Sequence, residues 1–347
     1  MKQKKMNWKE MSIGLCLVAL LAWFTFHVLL GSHSAQTLGS TFVRADIRFV
    51  SMGFACMFLF VNCEAANIRL LMRTFGKKVP YWRSLSYAFT DFYFSAITPS
   101  ATGGQPMQLY YMVRDGFGAA HSSFSLLATA AVYQMTVLVY GCVMVGANLP
   151  FVMGQGRVIR LLLVFGILVN GFCSGLILLI ILNGLLAEKT MLWIAGALSR
   201  AGIIKNRKRA VQRVEGLIDE YSRGGSYLRQ YPLAAVRMFI HSAVQLTALY
   251  LVPYWACRAL GLSVQIKDVL ALQAILSLAV TAVPLPGSVG ASEGSFLALY
   301  RTLLGTGQSF SVMLLSRGIS FYAMLCISGL VTAFLQFARR GKSASPV

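Results

Sequence analysis

TPSATGGQ, Thr98–Gln105, and PLPGSVGASE, Pro284–Glu293, each stand in the middle of an apolar run. The first interrupts Ser84–Val113 and the second interrupts Val269–Leu304. Proline removes a backbone donor and glycine admits dihedrals closed to other residues, so neither run is one continuous helix facing lipid. The reading of these two interruptions decides the fold.

Working outward, the 347 residues are 57% hydrophobic and only 12% charged, more apolar surface than a soluble domain can cover. Crossing a bilayer takes about 20 apolar residues. Six uninterrupted runs meet that length: Met11–Leu30, Phe49–Leu71, His121–Leu149, Val158–Leu186, Pro232–Leu260 and Ser309–Phe337. The first follows Lys2, Lys4, Lys5 and Lys9 like a signal peptide, but it is long and no small-x-small site closes it, so a retained helix is expected.

The formal net charge is +20, and its placement separates membrane orientation from nucleic-acid binding. Basic residues gather at Lys2–Lys9, at Arg69–Arg83, at Lys189–Arg229 and at Arg339–Lys342, with few between. Under the positive-inside rule these segments are cytoplasmic, as are both termini, and no nucleic acid is expected as a ligand. Parity then constrains the interrupted runs. Residues 69–83 and 189–229 lie on one side only if Ser84–Val113 dips in and returns, and Val269–Leu304 must do the same from the opposite face.

The expected fold is an all-α polytopic membrane protein of six full spans and two re-entrant segments, arranged as an inverted repeat. The halves, 10–186 and 232–338, share lettering downstream of each break: Tyr111-Met-Val-Arg114 with Gly118 in one, Tyr300-Arg301 with Gly307 in the other. The alternative is eight spans with Pro and Gly as kinks, which puts Lys189–Arg229 or Arg114 outside against the charge rule.

Ionisable groups at membrane depth are costly and mark functional positions, here Glu64, Asp91, Glu293 and Arg317, with Arg114 and Arg301 at segment ends. The arginines suit a lipid phosphate because the planar guanidinium donates two parallel hydrogen bonds and stays charged. Amides at Gly103, Gly104, Gly287 and Gly290 are candidates for an anion-binding concavity. Glu293 reads equally as an N-cap to the following half-helix, and each arginine as a partner to a carboxylate. Asn62, Asn67, Tyr133, Gln134, His241 and Gln245 fall within spans, where interhelical hydrogen bonding is their usual role.

Residues 187–231 form a basic linker whose Ile204, Val211, Val214, Leu217, Ile218 and Tyr221 share one face, as in an interfacial helix on an anionic leaflet. No Walker-A loop, dinucleotide fingerprint or G-x-S-x-G elbow occurs, so ATP-driven pumping and hydrolase chemistry of known signature are not expected. The seven cysteines form no C-x-x-C pair, so neither metal nor cofactor is expected.

TPSATGGQP (Thr98–Pro106), VPLPGSVGASEG (Val283–Gly294) and LLSRGISFY around Arg317 together resemble the lysylphosphatidylglycerol synthase transmembrane, or flippase-like, family over roughly residues 10–338. The resemblance carries Gln105 and Glu293 onto the family's amide or acidic positions, Gln105 being the uncharged variant. It implies a module that handles or translocates a phospholipid or lipid-linked headgroup across the bacterial inner membrane. The alternative it implies is a phosphatidylglycerol lysyltransferase, or its membrane subunit, tied to cationic antimicrobial peptide resistance. The soluble acyltransferase-like domain of the multiple peptide resistance factors is not found in these residues, so lysyl transfer would need a separate lipid-modifying enzyme as partner. A membrane phospholipid is the expected ligand, and an oligomer is compatible with the pattern.

Overall fold

Asp46 opens the first described helix, its side chain accepting the Arg48 N–H at 2.9 Å and so satisfying one of the orphan donors of the first turn. This helix, α1, spans Ile47–Thr74 and ends where Gly76 takes a left-handed φ of 68°. The computed structural model describes residues 45–98, 101–154, 156–182, 232–280 and 290–340, all helix, turn or loop with no strand among them. The run Met11–Leu30 and the basic linker 187–231 lie outside the described residues.

The first interrupted run is two helices, α2 (Tyr81–Ile97) and α3 (Gly104–Arg114), folded back on one another. Three contacts fix the reversal. Gly103 N–H donates to Thr98 Oγ1 at 2.8 Å at the tip. Gly104 lies against Asp91 and Ser95, and Tyr87 OH donates to Asp115 Oδ2 at 2.5 Å at the open end. A Cβ built on Gly104 would sit 2.9 Å from the Asp91 carbonyl oxygen and 2.1 Å from Ser95 Oγ, so the helices approach this closely only because the residue is glycine.

The helices α4 (Ala119–Ala147), α5 (Leu149–Gly154) and α6 (Arg157–Leu182) follow. The second half opens with α7 (Pro232–Ala259). The second interrupted run is again a hairpin, α8 (Ile266–Val280) and α9 (Ala291–Leu304), with Gln273 Nε2 donating to Tyr300 OH at 3.0 Å across it. Residues 281–289, including Gly287, lie outside the described residues. The chain closes with α10 (Thr306–Arg317), a π-turn (Gly318–Ala323) and α11 (Met324–Arg340).

Each half therefore runs long helix, hairpin, long helix, and the two pack by exchange. The first helices, α1 and α7, lie antiparallel along their length: Asp46 N–H donates to Ala259 O at 2.9 Å near one end, and Asn67 Nδ2 to Ser242 Oγ at 3.3 Å towards the other. Hairpin helix α2 packs on α11 of the other half, where Tyr93 lies over Gly329, and α8 packs on α4, where Leu278 lies over Gly141. α6 closes on α8 so tightly that a Cβ on Gly166 would come within 2.0 Å of the Leu278 carbonyl oxygen.

Among the described residues four helices are long and apolar enough to cross a membrane: α1, α4, α7 and the continuous stretch Thr306–Gln336. They match four of the six expected runs. The fifth, Val158–Leu186, corresponds to α6, Arg157–Leu182, an apolar helix of 26 residues. In the four long helices 28–39% of the most apolar window is buried inside the protein. Their exposed faces, together with that of α6, carry a belt of large apolar side chains, among them Phe58, Leu161, Phe165, Leu168, Leu330 and Phe334, a surface suited to lipid rather than water.

Candidate polar cavities at the two hairpins

The first hairpin borders a cavity of about 450 Å³ walled by α1, α2, α3, α4, α7 and the π-turn. Its polar lining is Glu64, Asp91, Ser95, Gln105, Gln108, Thr129, Tyr133, Gln134 and Gln245, set among Phe60, Ile68, Phe92, Leu126 and Phe321. Gln108 Nε2 donates to Glu64 Oε1 at 2.5 Å, joining α3 to α1. Asp91 lies against Gly104, the first residue of α3, where the helix macrodipole favours negative charge. Gln134 donates to Asn170 and thereby ties α4 to α6.

The second hairpin borders a smaller cavity of about 260 Å³ lined by Tyr250, Gln273, Ser277, Ser292, Phe296, Ser316, Arg317 and Ser320, among others. Glu293 is buried at 2% exposure and both of its carboxylate oxygens are engaged. Oε2 accepts the Gly290 N–H at 2.6 Å, the carboxylate half of a capping box, and Oε1 accepts from Arg317 Nε at 2.8 Å. Gly290 holds φ 88°, a left-handed conformation that strains any residue with a Cβ. The Arg317 guanidinium also lies over the Phe321 ring, 4.5 Å from its centroid, across the π-turn. The two readings of Glu293, as N-cap and as arginine partner, thus hold simultaneously.

Of the residues singled out in the sequence, Glu64, Asp91 and Gln105 meet in the first cavity, and Arg317 lines the second with Glu293 ion-paired to it. Arg114 and Arg301 join neither cavity. They occupy the last turns of α3 and α9, and because α1 and α7 run antiparallel these turns lie towards opposite ends of the bundle. Two of the four glycine amides expected to face an anion are instead donated within the chain, Gly103 to Thr98 and Gly290 to Glu293. Gln108, Gln273, Ser277 and Ser292 line the cavities without having been singled out. For Gln108 a signal existed: it follows Gln105 by three residues, on the same face of a helix opened by the Gly-Gly pair.

An apolar helical bundle holding a polar cavity at each of two hairpins defines a multi-pass membrane protein. More specifically, the chain belongs to the family described as lysylphosphatidylglycerol synthase TM region, which matches residues 11–328. It is also 26% identical over 283 residues to a UPF0104 membrane protein of Archaeoglobus fulgidus, an alignment covering 77% of this chain and 80% of the relative.

Proposed function

We propose that the protein moves a phospholipid or lipid-linked headgroup between the leaflets of the bacterial inner membrane, the headgroup passing the hairpins while the acyl chains stay in lipid. The observation that carries this reading is the exchange of hairpins between two halves whose first helices run antiparallel, each hairpin lining a polar cavity inside an otherwise apolar bundle. That arrangement supports an inverted repeat with two re-entrant segments, the geometry in which transporters hold cargo near the midplane, and the placement of the basic residues favours six spans with cytoplasmic termini. Membership of the family supports a lipid as the cargo.

Arg317 is the headgroup contact within this scheme, its guanidinium reaching a phosphate while Glu293 holds its Nε edge. Arg114 and Arg301 serve at the two mouths, one per leaflet. The test is reconstitution of wild-type protein and of Arg114→Gln, Arg301→Gln and Arg317→Gln in vesicles bearing labelled phosphatidylglycerol and its lysyl ester, with outer-leaflet exposure measured over time. Slowed exposure is expected for all three, most for Arg317→Gln. Wild-type rates no faster than protein-free vesicles would remove the proposal.

The family's description names a synthase, which favours lysyl transfer to phosphatidylglycerol as a second reading. Incubating purified protein with lysyl-tRNA and phosphatidylglycerol separates the two, since lipid movement requires no new ester.

A further inference from the structure

The two cavities treat their carboxylates differently. In the second, Glu293 has both oxygens engaged and a guanidinium for a counter-ion. In the first, Glu64 and Asp91 share a cavity to which no described Lys, Arg or His contributes. Glu64 is held by an uncharged amide, Gln108, and among the described residues the Asp91 carboxylate has no hydrogen-bond partner. A third observation is independent of the acids: Gln245, on the same wall and only 3% exposed, has an amide that likewise meets no partner among the described residues. The amide of Gln245 faces the cavity and is free to meet a guest, and two neighbouring carboxylates in a low-dielectric site repel one another with no cation lining the cavity among the described residues. The cavity is therefore built around something it receives from outside.

The chemistry of the wall narrows that guest. No group of three or more His, Cys, Asp or Glu that could hold a metal ion occurs among the described residues, and much of the lining is aromatic or aliphatic. Two carboxylates with amide and phenol neighbours satisfy a proton without further ligands. A polar cluster between α1 and α7 stands one turn from it along both helices. His241 Nδ1 lies 2.9 Å from Asn67 Oδ1, and Asn67 Nδ2 donates to Ser242 Oγ. Asn67 stands one turn from Glu64, and His241 one turn from Gln245.

Building on the transport reading above, we propose that Glu64 and Asp91 form a proton-carrying site that couples lipid movement to the proton gradient. One proton from water on one side binds a carboxylate oxygen of the pair, and it leaves to water on the opposite side when the cavity opens there; no other bond forms or breaks. The groups facing the pair from the packed elements are Tyr133 on α4 and Gln105 and Gln108 on α3, with His241 and then Arg237 further along α7. α2 adds Ser95, and the π-turn presents Phe321.

The test has two arms on the full chain. Infrared difference spectra of detergent-solubilised protein, taken in sodium-free buffer across pH, should show a protonated carboxyl C=O band that titrates. The band should be lost or displaced in Glu64→Gln and Asp91→Asn, and should persist in Glu293→Gln. These amide variants are isosteric, and the titrating band in wild type is itself a readout that needs no variant. Absence of a band in wild type, a band unmoved by either substitution, or a band abolished by sodium at constant pH would each overturn the proposal. In the second arm, an imposed pH gradient should speed lipid exposure several-fold in wild-type vesicles and have no effect in the double variant Glu64→Gln/Asp91→Asn. Gradient-independent transport by wild type would refute coupling. A titrating band in a protein that moves no lipid would instead refute the transport reading and leave the proton site standing.

Discussion

Glu293 and Arg317 stand 24 positions apart in sequence and meet at 2.8 Å, with Arg317 only 16% exposed at its side chain. Removing one member of such a pair leaves an uncompensated charge away from water, which costs about 3–5 kcal/mol, whereas replacing both with apolar residues costs far less. Glu293→Ala is therefore expected to lower the thermal midpoint in detergent markedly, and the double variant Glu293→Met/Arg317→Met to recover much of it. Equal loss in both would show that the pair contributes nothing as a pair. Arg317→Lys keeps the charge but gives up the planar contact with Phe321, so it should fold well and still move lipid slowly. At the open end of the first hairpin, Tyr87→Phe removes a hydrogen bond to a carboxylate from a fully buried ring, worth roughly 1.5–3 kcal/mol. Faster hydrogen exchange confined to α2 and α3 is the expected signature.

At the level of elements, both hairpins and the α6–α8 crossing depend on residues that lack a side chain. Gly104→Val would drive a branched group into the Asp91 backbone, and Gly166→Leu would do the same against the Leu278 carbonyl. A backbone oxygen lies 2.9 Å from the added Cβ at Gly104 and 2.0 Å at Gly166 and cannot swing aside, so a cost of roughly 1–3 kcal/mol, typical of overpacking, is expected. Measured as unfolding in detergent, Gly104→Val should also distort the first cavity and change lipid exposure. Gly166→Leu should loosen α6 against α8 while leaving the first hairpin intact. The π-turn after Arg317 works differently: widened turns recur where a helix must present side chains to a site, and Phe321 borders the first cavity while Arg317 lines the second.

For the whole molecule, the antiparallel pairing of α1 with α7 makes a topological prediction. In a cysteine-free background, single cysteines at Ala119, the exposed first residue of α4, and at Gly307, just beyond α9, should be labelled by an impermeant thiol reagent from opposite faces, one in right-side-out and the other in inside-out vesicles. Labelling of both from one face would contradict the proposed inverted arrangement.

Composition and spacing alone show that the chain is an apolar helical protein for a bilayer, that two runs are broken near Thr98–Gln105 and Pro284–Glu293, and that Glu64, Asp91, Glu293 and Arg317 are costly enough at membrane depth to need a partner or a guest. Composition, helix length and proline and glycine chemistry are local properties, so they can be read along one dimension. Only the tertiary structure decided who those partners are. It separated Arg114 and Arg301 from Arg317, donated the Gly103 and Gly290 amides within the chain, and brought Gln108 to Glu64 across 44 positions. The physical reason is that a low-dielectric bundle selects pairings by the close approach of helices distant in sequence, and that approach is set by where glycines such as Gly104 and Gly166 let backbones touch.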